Sequence, residues 1–378
     1  MKKNWIIIFV ILLCTGCGVG STYNIEEIYS TDEKELAQSY WWTDNIKKDG
    51  NTYYFVDFDK LYYWNAESQS GSIVCSSANC SHSTSRCNAY LGDFGNNYRF
   101  SFLDLELYNG CIYKIGYQLK DITDFYVYSI SLDGSKRTQM GYLYSKELDS
   151  TGGLTWSYDW VMVNGYYYGT YNDKDNPKGL YRIRVDGEKL LVYDISENKN
   201  LYIDRLKGDG LYLYYTIEGY KDDEKNVYTS TLMRYNTEIE ENEELIQDFM
   251  IGDYCIINDK QIFYYDMSGK GYIYDLSTYE AKCIIEKDVD GCISSDGTYI
   301  YVDNFEQVLV YDINGTLIDA ISYYGTVLFG DEQFLFINAP IMPGEKHEDV
   351  YEASYMWILD KSQIGSETKE WMKMELII

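Results

Sequence analysis

Short apolar runs separated by tight polar turns recur along this chain from about residue 40 to its last residues. Seven of the turns share one character: Asp49-Gly50, Asn109-Gly110, Asn164-Gly165, Asp209-Gly210, Asn258-Asp259, Asp296-Gly297 and Gly330-Asp331. Asn-Gly and Asp-Gly readily take the positive φ angles that a two-residue hairpin needs, so each marks a hairpin between the runs beside it. The runs before the turns lie near 40–46, 102–108, 156–163, 201–206, 254–257, 292–293 and 327–329. Those after them lie at 53–58, 112–117, 166–170, 211–217, 262–265, 299–302 and 334–337. A third run follows each hairpin, as at 61–64, 180–183 and 356–359, and then a fourth, as at 72–75, 189–193, 282–285 and 372–378.

Successive turns lie 34 to 60 residues apart. Four-stranded units of roughly 40–50 residues are the mark of a propeller. The pattern therefore predicts an all-β chain, a β-propeller of seven four-stranded blades. Six or eight blades are the alternatives, because 23–29 would supply a further strand. Strands are lettered a to d within a blade. The a–b and c–d turns of a propeller share one face, and the b–c and d–a loops share the other. The long connections, 75–97, 119–124, 172–179, 218–230 and 339–354, belong to the second set. Variable loops on a rigid scaffold are where binding usually resides, so this face is expected to carry the function.

Three of those loops hold candidate ligand-binding side chains: Asp173 and Asp175, Asp222 and Asp223, and His347 with Glu348. The run from Asp173 to Asn176 opens like a calcium loop, but no acidic residue completes it at the needed distance, and a solvated loop fits it better. The charge run from Glu345 to Asp349 reads first as an exposed solvated segment, and second as a site for a metal or cationic group.

The N-terminus changes the setting. A basic start, Lys2 and Lys3, precedes an apolar run from Trp5 to Leu13, too short to span a bilayer and suited to a signal peptide. Leu13-Cys14-Thr15-Gly16-Cys17 then resembles a bacterial lipoprotein cleavage box, with Cys14 where that pattern usually has Leu. The resemblance implies a signal over 1–16, lipidation of Cys17, a polar tether over 17–36 and one propeller domain over 37–378. It places the protein at the cell membrane, lipid-anchored on the extracytoplasmic face. An ordinary secretory signal is the alternative.

Composition narrows the partners. Lys and Arg number 32 against 60 Asp and Glu, for a net charge of −28. Such a surface repels nucleic acid and anionic lipid, so no nucleic acid is expected and the membrane is met only through the anchor. Forty-three tyrosines fall mostly inside the strand segments. They read as sheet faces, since Tyr favours strands and packs its ring while its hydroxyl stays wet. Trp156, Tyr158 and Trp160 are expected to offer aromatic surface, in part lost to the core.

One cluster carries metal chemistry. Cys75, Cys80, His82 and Cys87 fall between the first and second blades. Three thiolates and an imidazole are a structural zinc set in type and number. Pairing of two of the three cysteines in an oxidising compartment is the rival, and it leaves His82 without a role. Cys111, Cys255, Cys283 and Cys292 read as buried small hydrophobes. The stretch from Cys75 to His82, then Cys87-Asn88-Ala89-Tyr90, follows a Tyr-rich first blade. It resembles a Cys-x4-Cys-x-His-x4-Cys motif of uncharacterised Tyr-rich propeller lipoproteins from low-GC Gram-positive bacteria. Those commonly carry Pro before the second cysteine, where Ala78 and Asn79 stand here. The resemblance implies a propeller and a surface lipoprotein, and no known reaction.

No catalytic residue is assigned. The chain has two histidines, and it lacks a Gly-x-Ser-x-Gly elbow, a phosphate loop and a His-Glu-x-x-His motif. The leading expectation is a non-catalytic binding or interaction scaffold for a glycan, a peptide or an envelope protein. A carboxylate-based glycan hydrolase or lyase on the loop-rich face is the alternative. A metal or redox sensor built on the cysteine cluster is a third.

Overall fold

The computed structural model describes residues 46–57, 59–92, 98–100, 105–118, 122–147, 160–171, 177–220, 228–247, 251–345 and 355–375. They form seven antiparallel sheets, each built from one continuous stretch of chain and ordered as in the sequence. Blade 1 holds Ile46–Asp49, Thr52–Asp57, Lys60–Asn65 and Ser70–Ile73. In blade 2 the inner strand is split into Tyr98–Phe100 and Glu106–Tyr108, both paired with Cys111–Gln118, and Ile122–Ser131 and Arg137–Glu147 follow. Blade 3 holds Val161–Val163, Tyr166–Tyr171, Gly179–Ile183 and Lys189–Asp194. Blade 4 holds Leu201–Asp209, Tyr212–Tyr220, Tyr228–Asn236 and Glu241–Ile246. Blade 5 holds Ile251–Asn258, Gln261–Asp266, Gly271–Asp275 and Glu280–Ile285. Blade 6 holds Cys292–Ser295, Tyr299–Asp303, Gln307–Asp312 and Leu317–Ser322. Blade 7 holds Thr326–Gly330, Phe334–Ala339, Tyr355–Asp360 and Trp371–Glu375. The a strands neighbour one another around the axis, and strand a of blade 1 lies beside those of blades 2 and 7. The expected seven-bladed propeller is what the chain forms. Among the described residues no helix is long and apolar enough to cross a membrane.

Burial explains why the runs read as they do. Strands b and c are covered on both faces by neighbouring blades, so Thr52–Asp57, Tyr212–Tyr220 and Tyr355–Asp360 are buried almost throughout. Strand d is the outer edge, and in Lys189–Asp194 and Leu317–Ser322 most residues stay at least partly exposed. Many tyrosines fill the gaps between blades, and two of their hydroxyls reach backbone carbonyls of the blade before. Tyr274 donates to the Leu245 carbonyl at 2.7 Å, and Tyr254 to the Arg205 carbonyl at 2.5 Å, both joining blade 5 to blade 4. A buried hydroxyl is costly without such a partner, and in these two bonds that need ties blade to blade.

Two hairpins run further than their polarity suggested. In blade 4, Glu218, Gly219 and Tyr220 pair with Ser230, Thr229 and Tyr228, so both ends of the loop expected over 218–230 are strand. Glu218 stays in the strand because its carboxylate is satisfied inside it. Glu218 is buried and accepts from Thr216 at 2.7 Å and Tyr228 at 2.9 Å, besides pairing with Arg205. In blade 2, Gln118 pairs with Asp124, shortening the loop expected over 119–124.

The c–d corner of each blade leans on the outer strand of the blade before it. The Asp133-Gly134 corner of blade 2 meets Val74 and Cys75, where a Cβ on Gly134 would stand 2.1 Å from the Val74 carbonyl oxygen. Gly134 also has φ +67°. Gly110, in an a–b turn, has φ +66° with open space around it. The two glycines thus separate backbone strain from collision. Gly110→Ala is expected to cost about 1 kcal/mol, and Gly134→Ala at least twice that, because strain and a backbone clash add. Equal losses in urea unfolding would contradict the corner packing.

Candidate metal centre

The chain leaves blade 1 at Val74, makes an excursion, and returns to pair with the same blade. Leu61 donates to the Ala89 carbonyl at 2.9 Å and Leu91 to the Asp59 carbonyl at 2.6 Å. Cys87, Ala89 and Leu91 are buried in the core shared by blades 1, 2 and 7. The excursion itself has few apolar side chains, and Ser76 to Asn79 and Ser83 to Arg86 are exposed. Something other than burial must hold its shape.

Its four candidate ligands come together. One ligand atom from each of Cys75, Cys80, His82 and Cys87 lies within 4.8 Å of every other, and His82 Nδ1 stands 3.4 Å from Cys87 Sγ. A zinc tetrahedron with bonds near 2.0–2.3 Å has edges of roughly 3.5–3.8 Å, so the His82–Cys87 pair already matches and no pair needs more than about 1 Å of closure. Asn79 and His82 have φ of +61° and +53°, and this tight backbone turns Cys80 and His82 toward the same point. The cysteines carry free thiols. Burial pushes the Cys87 thiol up to about 12, a cost that a bound cation would offset. The backbone N–H of His82 is the largest influence on Cys80 and draws its thiol below the usual value. The set can thus hold a metal ion, and four protein ligands leave no open position for a substrate or an activated water.

The site sits at the outer edge of the junction between blades 1 and 2, beside the c–d corner of blade 2. Asn88 Nδ2 donates to the Gly134 carbonyl at 3.0 Å. From the first position of the outer strand, Arg137 donates to the carbonyls of Ser85 at 2.9 Å, Cys87 at 3.3 Å, Asn88 at 3.3 Å and Tyr90 at 2.8 Å. Sequence reading had no signal for Arg137, which lies 50 residues from Cys87.

The remaining candidates fall elsewhere. Cys17, Asp173, Asp175, Asp222, Asp223, His347 and Glu348 lie outside the described residues, as do Trp156 and Tyr158. Trp160 is core. Cys111 and Cys255 are buried, and Cys283 and Cys292 are half-buried and unbridged.

No family model matches the chain, and no curated protein matches it. Solved structures do. Puromycin hydrolase is 11% identical with a TM-score of 0.50, the match covering 93% of this chain and 56% of that one. A putative 6-phosphogluconolactonase from Bacteroides fragilis is 11% identical, with a TM-score of 0.47 over 88% of this chain and 94% of that one. An oligogalacturonate lyase in complex with manganese is 9% identical, with a TM-score of 0.46 over 71% and 72%. The chain spans a little over half the length of the hydrolase. At these identities the likeness to the hydrolase is one of fold alone.

Proposed function

We propose that this chain is an exported propeller, anchored by lipid at Cys17 on the extracytoplasmic face of the cell membrane, and that it binds without catalysis. In this reading it belongs with the Tyr-rich propeller lipoproteins whose cysteine motif it resembles. Zinc at Cys75, Cys80, His82 and Cys87 is a structural ion that orders the first crossover. The ligand is a glycan, a peptide or an envelope protein, met by the loop-rich face. The observation that carries this is the contrast between faces. Every described a–b turn is short, whereas gaps of chain separate Tyr171 from Gly179, Tyr220 from Tyr228 and Ala339 from Tyr355 on the other face. Rigid blades with long connections on one side suit recognition. The test is a binding screen of the purified protein against envelope polysaccharides, peptidoglycan fragments and envelope proteins, run beside a turnover screen. Saturable binding without product supports the proposal, and turnover of any of them sinks it.

A carboxylate-based hydrolase or lyase is the second reading, and one group favours it. Asp57 closes strand b of blade 1 on the loop-rich face, is buried, and accepts from Asn338 of blade 7. Burial pushes its carboxyl up to about 6, against the pull of the Asn338 hydrogen bond and Lys60. That is a range in which a carboxylic acid can deliver a proton. The shift has a sign in stability. A carboxyl raised in the folded state favours folding below its unfolded value near 4, and that contribution is lost as pH rises through about 6. Asp57→Asn is therefore expected to raise stability at pH 8 by about 1–2 kcal/mol and to change little at pH 4. Melting curves at the two pH values check this, and a variant less stable at pH 8 would contradict it. Loss of turnover in the same variant would favour the enzyme.

A further inference from the structure

We propose that Arg137 is the positioning residue of the metal centre, a cation that shapes the ligand loop before any metal arrives. The inference rests on reading the four-ligand cluster as a zinc site and goes beyond it. The loop from Ser81 to Asn88 has no strand ladder to satisfy its backbone. Instead three of its carbonyl oxygens, from Ser85, Cys87 and Asn88, and that of Tyr90 just beyond it, converge on one guanidinium. Converging carbonyl dipoles repel unless a cation sits among them. A planar fork with five donors can meet four acceptors at once, which an ammonium on a flexible stem cannot. One of the four is the carbonyl of Cys87 itself, so the guanidinium fixes the backbone that carries a ligand. Its base is rigid: Arg137 opens the outer strand of blade 2 and pairs with Ile130. The Asn88 bond to Gly134 holds the same loop to the corner beside it. Metal affinity then depends on a residue that offers the ion no atom, as outer partners of metal ligands commonly do.

The experiment is zinc titration of the full chain against a chromogenic chelator, with cobalt absorption as a second readout. Arg137→Ala should bind zinc about 10–100-fold more weakly and lose part of the tetrahedral cobalt signature. Arg137→Lys should recover part of both. Arg86→Ala removes an equal charge from an exposed position in the same loop and should bind as the parent does. Circular dichroism in chelator establishes that the ring remains folded in each variant. Should Arg137→Ala not fold, Arg137→Lys carries the test, with weaker binding than the parent expected. Affinity equal to the parent in the folded Arg137 variants would overturn this inference and leave the zinc reading standing. A drop for Arg86→Ala as large as for Arg137→Ala would also overturn it, because net charge would then explain both. Failure of the unaltered protein to take up zinc would overturn the zinc reading and this inference with it.

Discussion

Asp331→Ala is expected to destabilise the ring by about 3–5 kcal/mol, the cost typical of breaking a buried charge pair. The residue is fully buried in the a–b turn of blade 7. One oxygen accepts from the backbone of Gln333 at 2.9 Å and Phe334 at 3.0 Å. The other accepts from Lys48 at 2.5 Å and the Tyr53 hydroxyl at 2.7 Å, both in blade 1. Alanine would strand a buried hydroxyl, two N–H groups and a partly buried ammonium together. Burial alone would raise this carboxyl, but the bonds from Lys48, Tyr53 and the two amides hold it below the usual range. A lowered carboxyl stabilises the fold above its unfolded value near 4 and ceases to as pH falls through its folded value. The gap between variant and parent should thus be widest at neutral pH and close in acid. For a domain of this size the melting point should drop by roughly 5 °C. An unchanged melting point at pH 7 would mean that the blade 7 to blade 1 junction is held some other way. Asp296 repeats the device one junction earlier, capping its own turn through Thr298 and Tyr299 and reaching the buried Lys361 of blade 7 at 2.9 Å.

Cys87→Ser should abolish zinc uptake, from about one ion per chain to none, because a serine hydroxyl is not a thiolate ligand. Elemental analysis of both proteins measures it. The accompanying loss of stability should fall well below the roughly 10–16 kcal/mol of an isolated zinc finger, since the blades have their own core. It should be local as well. Hydrogen exchange should quicken in Ser76 to Tyr90 and along Lys60 and Leu61, which the returning segment covers, and stay slow in blades 4 to 6. Full zinc content in the variant would remove Cys87 from the ligand set. Uniform loosening of all blades would deny the loop a merely local part.

Turn chemistry made the fold legible. A hairpin turn is a local event, and Asn109-Gly110 announces it whatever surrounds it, so blade number and strand order followed from recurrence. The cysteine cluster was legible for the same reason, its ligands being close in sequence. What escaped was tertiary. Glu218 looked like loop because its partners, Arg205 and Tyr228, are charged or polar residues that only the folded sheet brings together. Asp331 looked like an ordinary turn residue, although Lys48 lies 283 positions away. The split inner strand of blade 2 had no marker, as residues 98–108 alternate no differently from the other a strands. The position of the cluster at the blade perimeter was hidden too, since sequence counts residues along a connection and not the direction it takes.

That every sheet is made from its own stretch of chain has a mechanical consequence. Six junctions are bridged by a covalent connection from one blade to the next, but the seventh, between Trp371–Glu375 and Ile46–Asp49, shares no strand among the described residues and no peptide link. The propeller is therefore a split washer: side-chain contacts alone oppose gaping at that one place, among them aromatic packing of Tyr53 and Trp64 on Phe334 and Phe336, the Lys48–Asp331 ion pair and the Asn338–Asp57 hydrogen bond. Elastic compliance of the whole ring concentrates there, and a load on either end of the propeller would open it at that gap first.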